Sequence, residues 1–160
     1  MSVYLARVNK SPSPQVEVDE YVPVTLTWPR YHTVSEPPAS MMLELEGCLF
    51  EVKTDRSNGE LIELILVDVQ RKNLVRVPAP LEWQDFTPGV PCLNSEEEPE
   101  ESANSMQARL HPNGFHMTLR SEKVTQWIGD QNCIFGFSSS DRLANILIRL
   151  SPEDVGLAFS

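Results

Sequence analysis

The stretch Met41–Val69, MMLELEGCLFEVKTDRSNGELIELILVDV, constrains this chain more than any other. It reads as two apolar strands folded back on each other at Asn58-Gly59. Both central residues of a type I′ turn need positive φ, and an Asn-Gly pair supplies them at least cost. A two-residue loop there pairs Val52 with Ile65, Phe50 with Val67 and Cys48 with Val69, placing six apolar side chains on one face. The opposite face is mixed, with Lys53 against Leu64, Glu51 against Leu66 and Leu49 against Asp68. A slip of one residue would turn the apolar set outward, so the pattern favours this register. Gly47 marks an expected bulge in the first arm, because Leu43 and Leu45 share one parity while Cys48 and Phe50 share the other.

Around this hairpin the chain shows repeated strand signals. Ser2–Val8 alternates well enough for a first strand, and Val16–Trp28 holds a second, strongest over Val22–Trp28. Asn73–Val77 suits a short strand. Later, Met106–Leu110 and Phe115–Leu119 flank HPNG, which suits a type I turn followed by a left-handed Gly114. Lys123–Ile128 and Asn132–Phe137 flank a second turn at Gly129-Asp130-Gln131. Asp141–Leu150 admits two structures. A helix capped by Ser140 would align Leu143, Ile146, Leu147 and Leu150, whereas a strand would alternate Ile146, Ile148 and Leu150 against Leu147 and Arg149; the strand is preferred. Ser151-Pro152-Glu153-Asp154 has the chemistry of a helix start.

Strands of this length at ~8–12-residue intervals indicate a mostly-β fold: an antiparallel sheet whose meander forms a sandwich or a partly open barrel, with a short C-terminal helix. One domain over residues 1–160 is expected, since a chain of this length buries roughly 70% of its unfolded surface without staples. Cys48, Cys92 and Cys133 show no close spacing, as suits a reducing compartment. No apolar run approaches the ~18–20 residues of a membrane span, and MSVYLARVNKSPSPQ lacks a signal-peptide pattern, so a cytoplasmic location is expected.

The net charge of −10 is informative once located. Seven of the 23 acids, Glu82, Asp85, Glu96, Glu97, Glu98, Glu100 and Glu101, and none of the 13 bases fall between Val77 and Ala108. The rest of the chain nets only −3. This balance argues against nucleic acid and against anionic membrane surfaces, both of which require a basic footprint. PAPLEWQDFTPGVPCL, from Pro78 to Leu93, reads as an ordered loop packed on the sheet by Leu81, Trp83 and Phe86. The following 94–105, NSEEEPEESANS, has only Ala103 to bury and reads as a disordered acidic loop. The seven acids, with Trp83 as an apolar anchor, form the candidate binding residues for a basic protein partner.

Catalytic signatures are absent: there is no Gly-rich phosphate loop, Gly-x-Ser-x-Gly, His-Glu-x-x-His or Cys-x-x-Cys. His111 and His116 flank a tight turn, and with Cys133 or Asp130 they could make a metal site or a Cys–His pair. Surface histidines and buried cysteines are the preferred assignments, so no catalytic residue, metal or cofactor is expected. Trp28 and Trp127 sit in expected strands and are assigned to the core.

The segment Gly59-Glu60-Leu61-Ile62-Glu63-Leu64 running into Val67-Asp68-Val69, and the ending Ile146-Leu147-Ile148-Arg149-Leu150-Ser151-Pro152-Glu153-Asp154, resemble stretches of small bacterial immunity proteins. These belong to toxin–immunity systems, contact-dependent growth inhibition among them. The resemblance covers about a third of the chain. It implies a small, acidic, cytoplasmic protein without catalytic residues that occludes a toxin, which for a basic partner suggests a nuclease. Two alternatives stand beside it: an accessory or scaffolding β-domain with no toxin partner, and a small-ligand-binding β-barrel.

Overall fold

A computed structural model describes residues 2–97 and 106–160. Among them are fourteen strands: β1 (Ser2–Asn9), β2 (Gln15–Val18), β3 (Val24–Thr27), β4 (Ala39–Leu45), β5 (Cys48–Thr54), β6 (Leu61–Val69), β7 (Val75–Arg76), β8 (Thr87–Pro88), β9 (Val90–Glu96), β10 (Gln107–His111), β11 (Gly114–Thr118), β12 (Val124–Gly129), β13 (Cys133–Ser138) and β14 (Leu143–Arg149). One helix, α1 (Pro152–Phe159), follows. The strands form a five-stranded sheet in the order β2-β3-β6-β5-β4, a seven-stranded sheet in the order β7-β10-β11-β14-β13-β12-β8, and the pair β1-β9. All pairings are antiparallel except β7 with β10 and β8 with β12.

The two larger sheets share one core. Val24, Leu26, Phe50, Val52, Leu64 and Leu66 from the first meet Phe115, Met117, Phe135, Phe137, Ile146 and Ile148 from the second. Trp28 joins the sheets, its ring centroid 6.2 Å from that of Phe135. The architecture is the expected sandwich, and no barrel closes among the described residues. Helix α1 starts as its sequence indicates, Ser151 Oγ accepting from the Asp154 amide at 3.1 Å. Phe159 stacks on Phe115 with centroids 5.1 Å apart. Arg71 and Arg76 donate to the carbonyls of Ala158 (2.7 Å) and Phe159 (2.9 Å), which supplies partners that a helix end otherwise lacks.

Residues 143–149 form a strand because both of their faces are covered. β14 is hydrogen-bonded between β11 and β13, and Leu143, Ala144, Ile146, Leu147 and Ile148 are all buried. A run that is apolar on both faces mimics a helical stripe, and only its neighbours decide between the two.

The central hairpin departs from its expected register. Asp55, not Asn58-Gly59, closes the turn: its amide donates to Glu60 O at 2.8 Å, and its carbonyl accepts from Gly59 N at 2.7 Å. Its carboxylate also accepts from Ser57 N (2.9 Å) and Ser57 Oγ (2.7 Å). The loop therefore holds four residues, Arg56–Gly59, with the left-handed φ of +74° at Gly59. One register shift follows at Lys53/Thr54 and a second at Leu49/Phe50. Between them Val52 pairs with Leu64 and Phe50 with Leu66, while Leu49–Asp68 and Cys48–Val69 pair as expected. Leu64 and Leu66 are accordingly fully buried, and Ile65 and Val67 lie half-buried on the outer face.

Three further expectations are corrected. Gly47 is not a bulge within one arm; Glu46-Gly47 is a turn that separates β4 from β5, with Leu45 opposite Cys48 and Gly47 at φ +74°. Gly114 is not left-handed, and its need is space: a Cβ there would lie 2.5 Å from Ile148 O. Val90–Glu96 is not loop but β9, paired with β1 from Ser2–Glu96 to Asn9–Val90. Pro91 argues against a strand by sequence, yet among the described residues β9 has β1 as its one strand partner, with a single bridge from Cys92 to Glu60 on its other side, so a missing N–H is tolerated.

The corrected register has a direct test. Leu66→Asp should cost about 4 kcal/mol by burying an unpaired charge, a fall in Tm of roughly 8–16 °C. Val67→Asp should stay within about 1 kcal/mol, because its side chain lies on the outer face. Thermal melts in which the two variants fell equally would contradict this assignment of faces.

Candidate partner-binding site

The segment 77–88 is a strap. It leaves β7 at one edge of the seven-stranded sheet and reaches β8 at the other edge. Six strand spacings amount to ~29 Å, and eleven residues reach at most ~36 Å, so the chain crosses nearly extended. The inner face is filled by the core, and the strap lies on the outer one. Val77 N donates to Leu110 O at 2.8 Å, and His111 Nδ1 donates to Ala79 O at 2.9 Å. Asn113 Oδ1 accepts from Leu81 N at 2.6 Å. Leu81 packs over Gly114, where a Cβ would come within 2.7 Å of Leu81 Cδ2.

Trp83 is half-buried, with the Arg149 guanidinium 4.3 Å above its ring centroid. Such a pair contributes ~0.5–2 kcal/mol, more as water is excluded. Trp83 thus anchors the strap to its own sheet, and Leu81 does the same, as the sequence anticipates. Glu82 and Asp85 on either side are exposed. Trp127, assigned to the core, is only half-buried and lies over Gly136, in the space a Cβ would occupy 2.8 Å from its ring.

The remaining candidate acids are elsewhere. Glu96 ends β9 opposite Ser2 and Glu97 follows, both exposed. Asn94–Glu96 therefore belong to a strand and not to the expected disordered loop; Glu98, Glu100 and Glu101 lie outside the described residues. Asn94 pairs with Tyr4, which bridges to Arg142 at the start of β14, while Trp83 covers Arg149 at its end. Seven residues of strand separate those ends, about 23 Å. The described candidate residues form two acidic groups, Glu82 with Asp85 and Glu96 with Glu97, not one patch.

His111 and His116 do approach, with ring centroids 6.4 Å apart on the outer face. His116 Nε2 donates to Asn145 Oδ1 at 2.6 Å, Thr118 Oγ1 donates to the same oxygen at 3.2 Å, and Arg109 donates to Thr118 at 3.3 Å. Burial holds the His116 pKa below its ordinary value. Cys133 pairs with Ile148 on the inner face, fully buried, and burial pushes its thiol far above the ordinary range. The sheet itself separates Cys133 from His116, so this thiol and imidazole do not form a catalytic pair. Among the described residues, no group of three or more His, Cys, Asp or Glu is placed to hold a metal.

One polar cluster escapes the sequence. Asp55 and Glu60, both buried, face Arg30 Nε at 2.8 and 3.9 Å, and Asn9 donates to Glu60 at 2.7 Å. Hydrogen bonds from Ser57, then from Arg30, hold the Asp55 carboxyl below its ordinary pKa. The spacing Asp55-x-Ser57 carries a local turn signal. Arg30 is 25 residues away, and no local pattern announces it.

No protein-family model and no curated protein matches this chain.

Two measurements check these environments. The unfolded chain protonates at His116 near pH 6.5 and the folded chain only below that, so this residue's contribution falls as pH drops through 6.5 and is unchanged above it. His116→Gln keeps a donor toward Asn145 and should lose less Tm between pH 7 and 5 than the wild type; an identical loss would deny the imidazole this role. Burial also raises the Cys48 thiol to about 12, with Asp68 adding to the effect. A thiol-specific disulfide reagent should therefore react with none of the three buried cysteines in the native protein and with all three in denaturant.

Proposed function

We propose that this chain is a non-catalytic, cytoplasmic binding protein that neutralises a basic protein partner, in the manner of the immunity proteins it resembles, with a toxin of nuclease type as the favoured partner. The distribution of charge carries this reading. Seven acids and no base occupy residues 77–108, and the four that are described, Glu82, Asp85, Glu96 and Glu97, are all exposed. Carboxylates so arranged attract a cationic surface of the kind that otherwise holds phosphates. About 23 Å of strand lies between the two acidic groups, and a standard interface patch of ~800 Å² is ~32 Å across, so one partner can reach both.

Association and dissociation should respond to different residues. Exposed charges act mainly on encounter, so raising salt from 50 to 500 mM should slow association by roughly tenfold as the screening length shrinks. Replacing Glu96, Glu97, Glu98, Glu100 and Glu101 by Gln should slow association while leaving Tm unchanged. Trp83→Ala should instead speed dissociation, because it frees the strap that presents Glu82 and Asp85. Surface-immobilised kinetics against the product of the adjacent gene, at both salt concentrations, checks all three. Salt-independent association, unaltered by the Gln variant, would assign the acidic stretch to a solvated connector of an accessory β-domain.

A further inference from the structure

We propose that β4 is a docking strand, whose free edge takes up an extended basic segment of the partner beside Met42 and Glu44. This rests on the reading of a basic protein partner and assigns it a place on the fold. Sheet edges invite added strands, and proteins blunt them with short strands, prolines, bulges or lysines. The other edges here are blunted. β7 and β8 are two residues each, β7 closely followed by Pro78 and β8 containing Pro88. β2 has four residues directly after Pro14, β9 carries Pro91, and β1 is interrupted by a register shift between Leu5 and Arg7 and bridged to Arg142 through Tyr4. β4 also starts directly after a proline, Pro38, but it is longer than β2 and has no such feature within it. Its seven residues, ASMMLEL, contain no proline or lysine, and its seven pairs with β5 run without a register shift. Among the described residues, its only pairing beyond β5 is the single bridge Glu46–Gln107 at its end.

The backbone faces the right way. Leu45 and Cys48 close a two-residue loop, which makes that pair, Leu43–Phe50 and Met41–Val52 the hydrogen-bonded ones. The main-chain N–H and C=O groups of Met42 and Glu44 then point away from β5. Their side chains are exposed, Met42 by 47%, a high value for a large apolar residue in a strand. The chemistry of the surround selects the occupant. Glu44 and Glu46 lie on or next to the strand, Glu51 is opposite Met42, and Asp68 is opposite Leu49. The base on the neighbouring strand, Lys53, is paired with Glu63 at 3.1 Å and lies 4.0 Å from Glu51, which also accepts from Ser40, so Glu44 is the acid left open to an incoming base. An incoming strand would place apolar side chains toward half-buried Leu43 and basic ones toward Glu44. Main-chain bonds would supply affinity and this alternation specificity.

The probe is an alternating lysine–valine decapeptide, compared with a helical peptide of the same charge. Binding of the strand peptide should slow amide exchange at Met42 and Glu44 at least tenfold. Met42→Pro should weaken it at least tenfold, yet fold normally, since that N–H is not given to β5. Should Met42→Pro fail to fold, N-methylation of alternate peptide residues should abolish binding to the wild type instead. Glu44→Lys with Glu46→Lys should weaken binding at least threefold. Equal binding of both peptides without protection at Met42 would overturn the edge assignment and leave the basic-partner reading standing. No binding of either would overturn both. A dimer lost in Met42→Pro by sedimentation, with no strand-peptide binding, would make the occupant a second copy and overturn the proposal as stated.

Discussion

The turn closed by Asp55 decides which half of the central hairpin becomes core. Its carboxylate, held by Ser57 and Arg30, stabilises a four-residue loop where a two-residue loop was available. The loop moves the hairpin register by two, irregularities at Lys53/Thr54 and Leu49/Phe50 restore it one step each, and between these points Leu64 and Leu66 face inward. Everything packed on that face, from Phe50 to Phe135 and Trp28, depends on the choice. β9 adds to the constraint from outside: Leu93 N donates to Gly59 O at 2.8 Å, and a Cβ on Gly59 would lie 2.6 Å from Leu93 O. The turn is thus fixed by contacts from positions 30 and 93 as well as by its own residues.

A second consequence concerns the strap. By running from β7 to β8 it supplies a short terminal strand at each edge of the seven-stranded sheet and covers part of its outer face. Its prolines suit an extended crossing that makes few ladder bonds, and Trp83 on Arg149 with Leu81 on Gly114 holds it down. Exposed acids on such a segment are presented from a fixed position. Among the described residues, the five-stranded sheet receives no such cover on β4, so the two sheets present different outer surfaces.

The sequence by itself determined the class of fold, most strand positions after Met106, the cap and start of α1, and the concentration of net negative charge in residues 77–108. These rest on local chemistry: alternation, turn residues, a Ser-Pro helix start and a count of charges. Tertiary structure decided the rest. It chose the hairpin register through Arg30 and β9, made Val90–Glu96 a strand by supplying β1 as a partner, and buried both faces of β14. It also split the described candidate acids into two groups, and among the described residues it left β4 as an edge strand whose seven pairs with β5 run without a register shift. Each of those outcomes depends on residues tens of positions apart meeting in space, and neighbouring residues along a chain carry no record of such meetings.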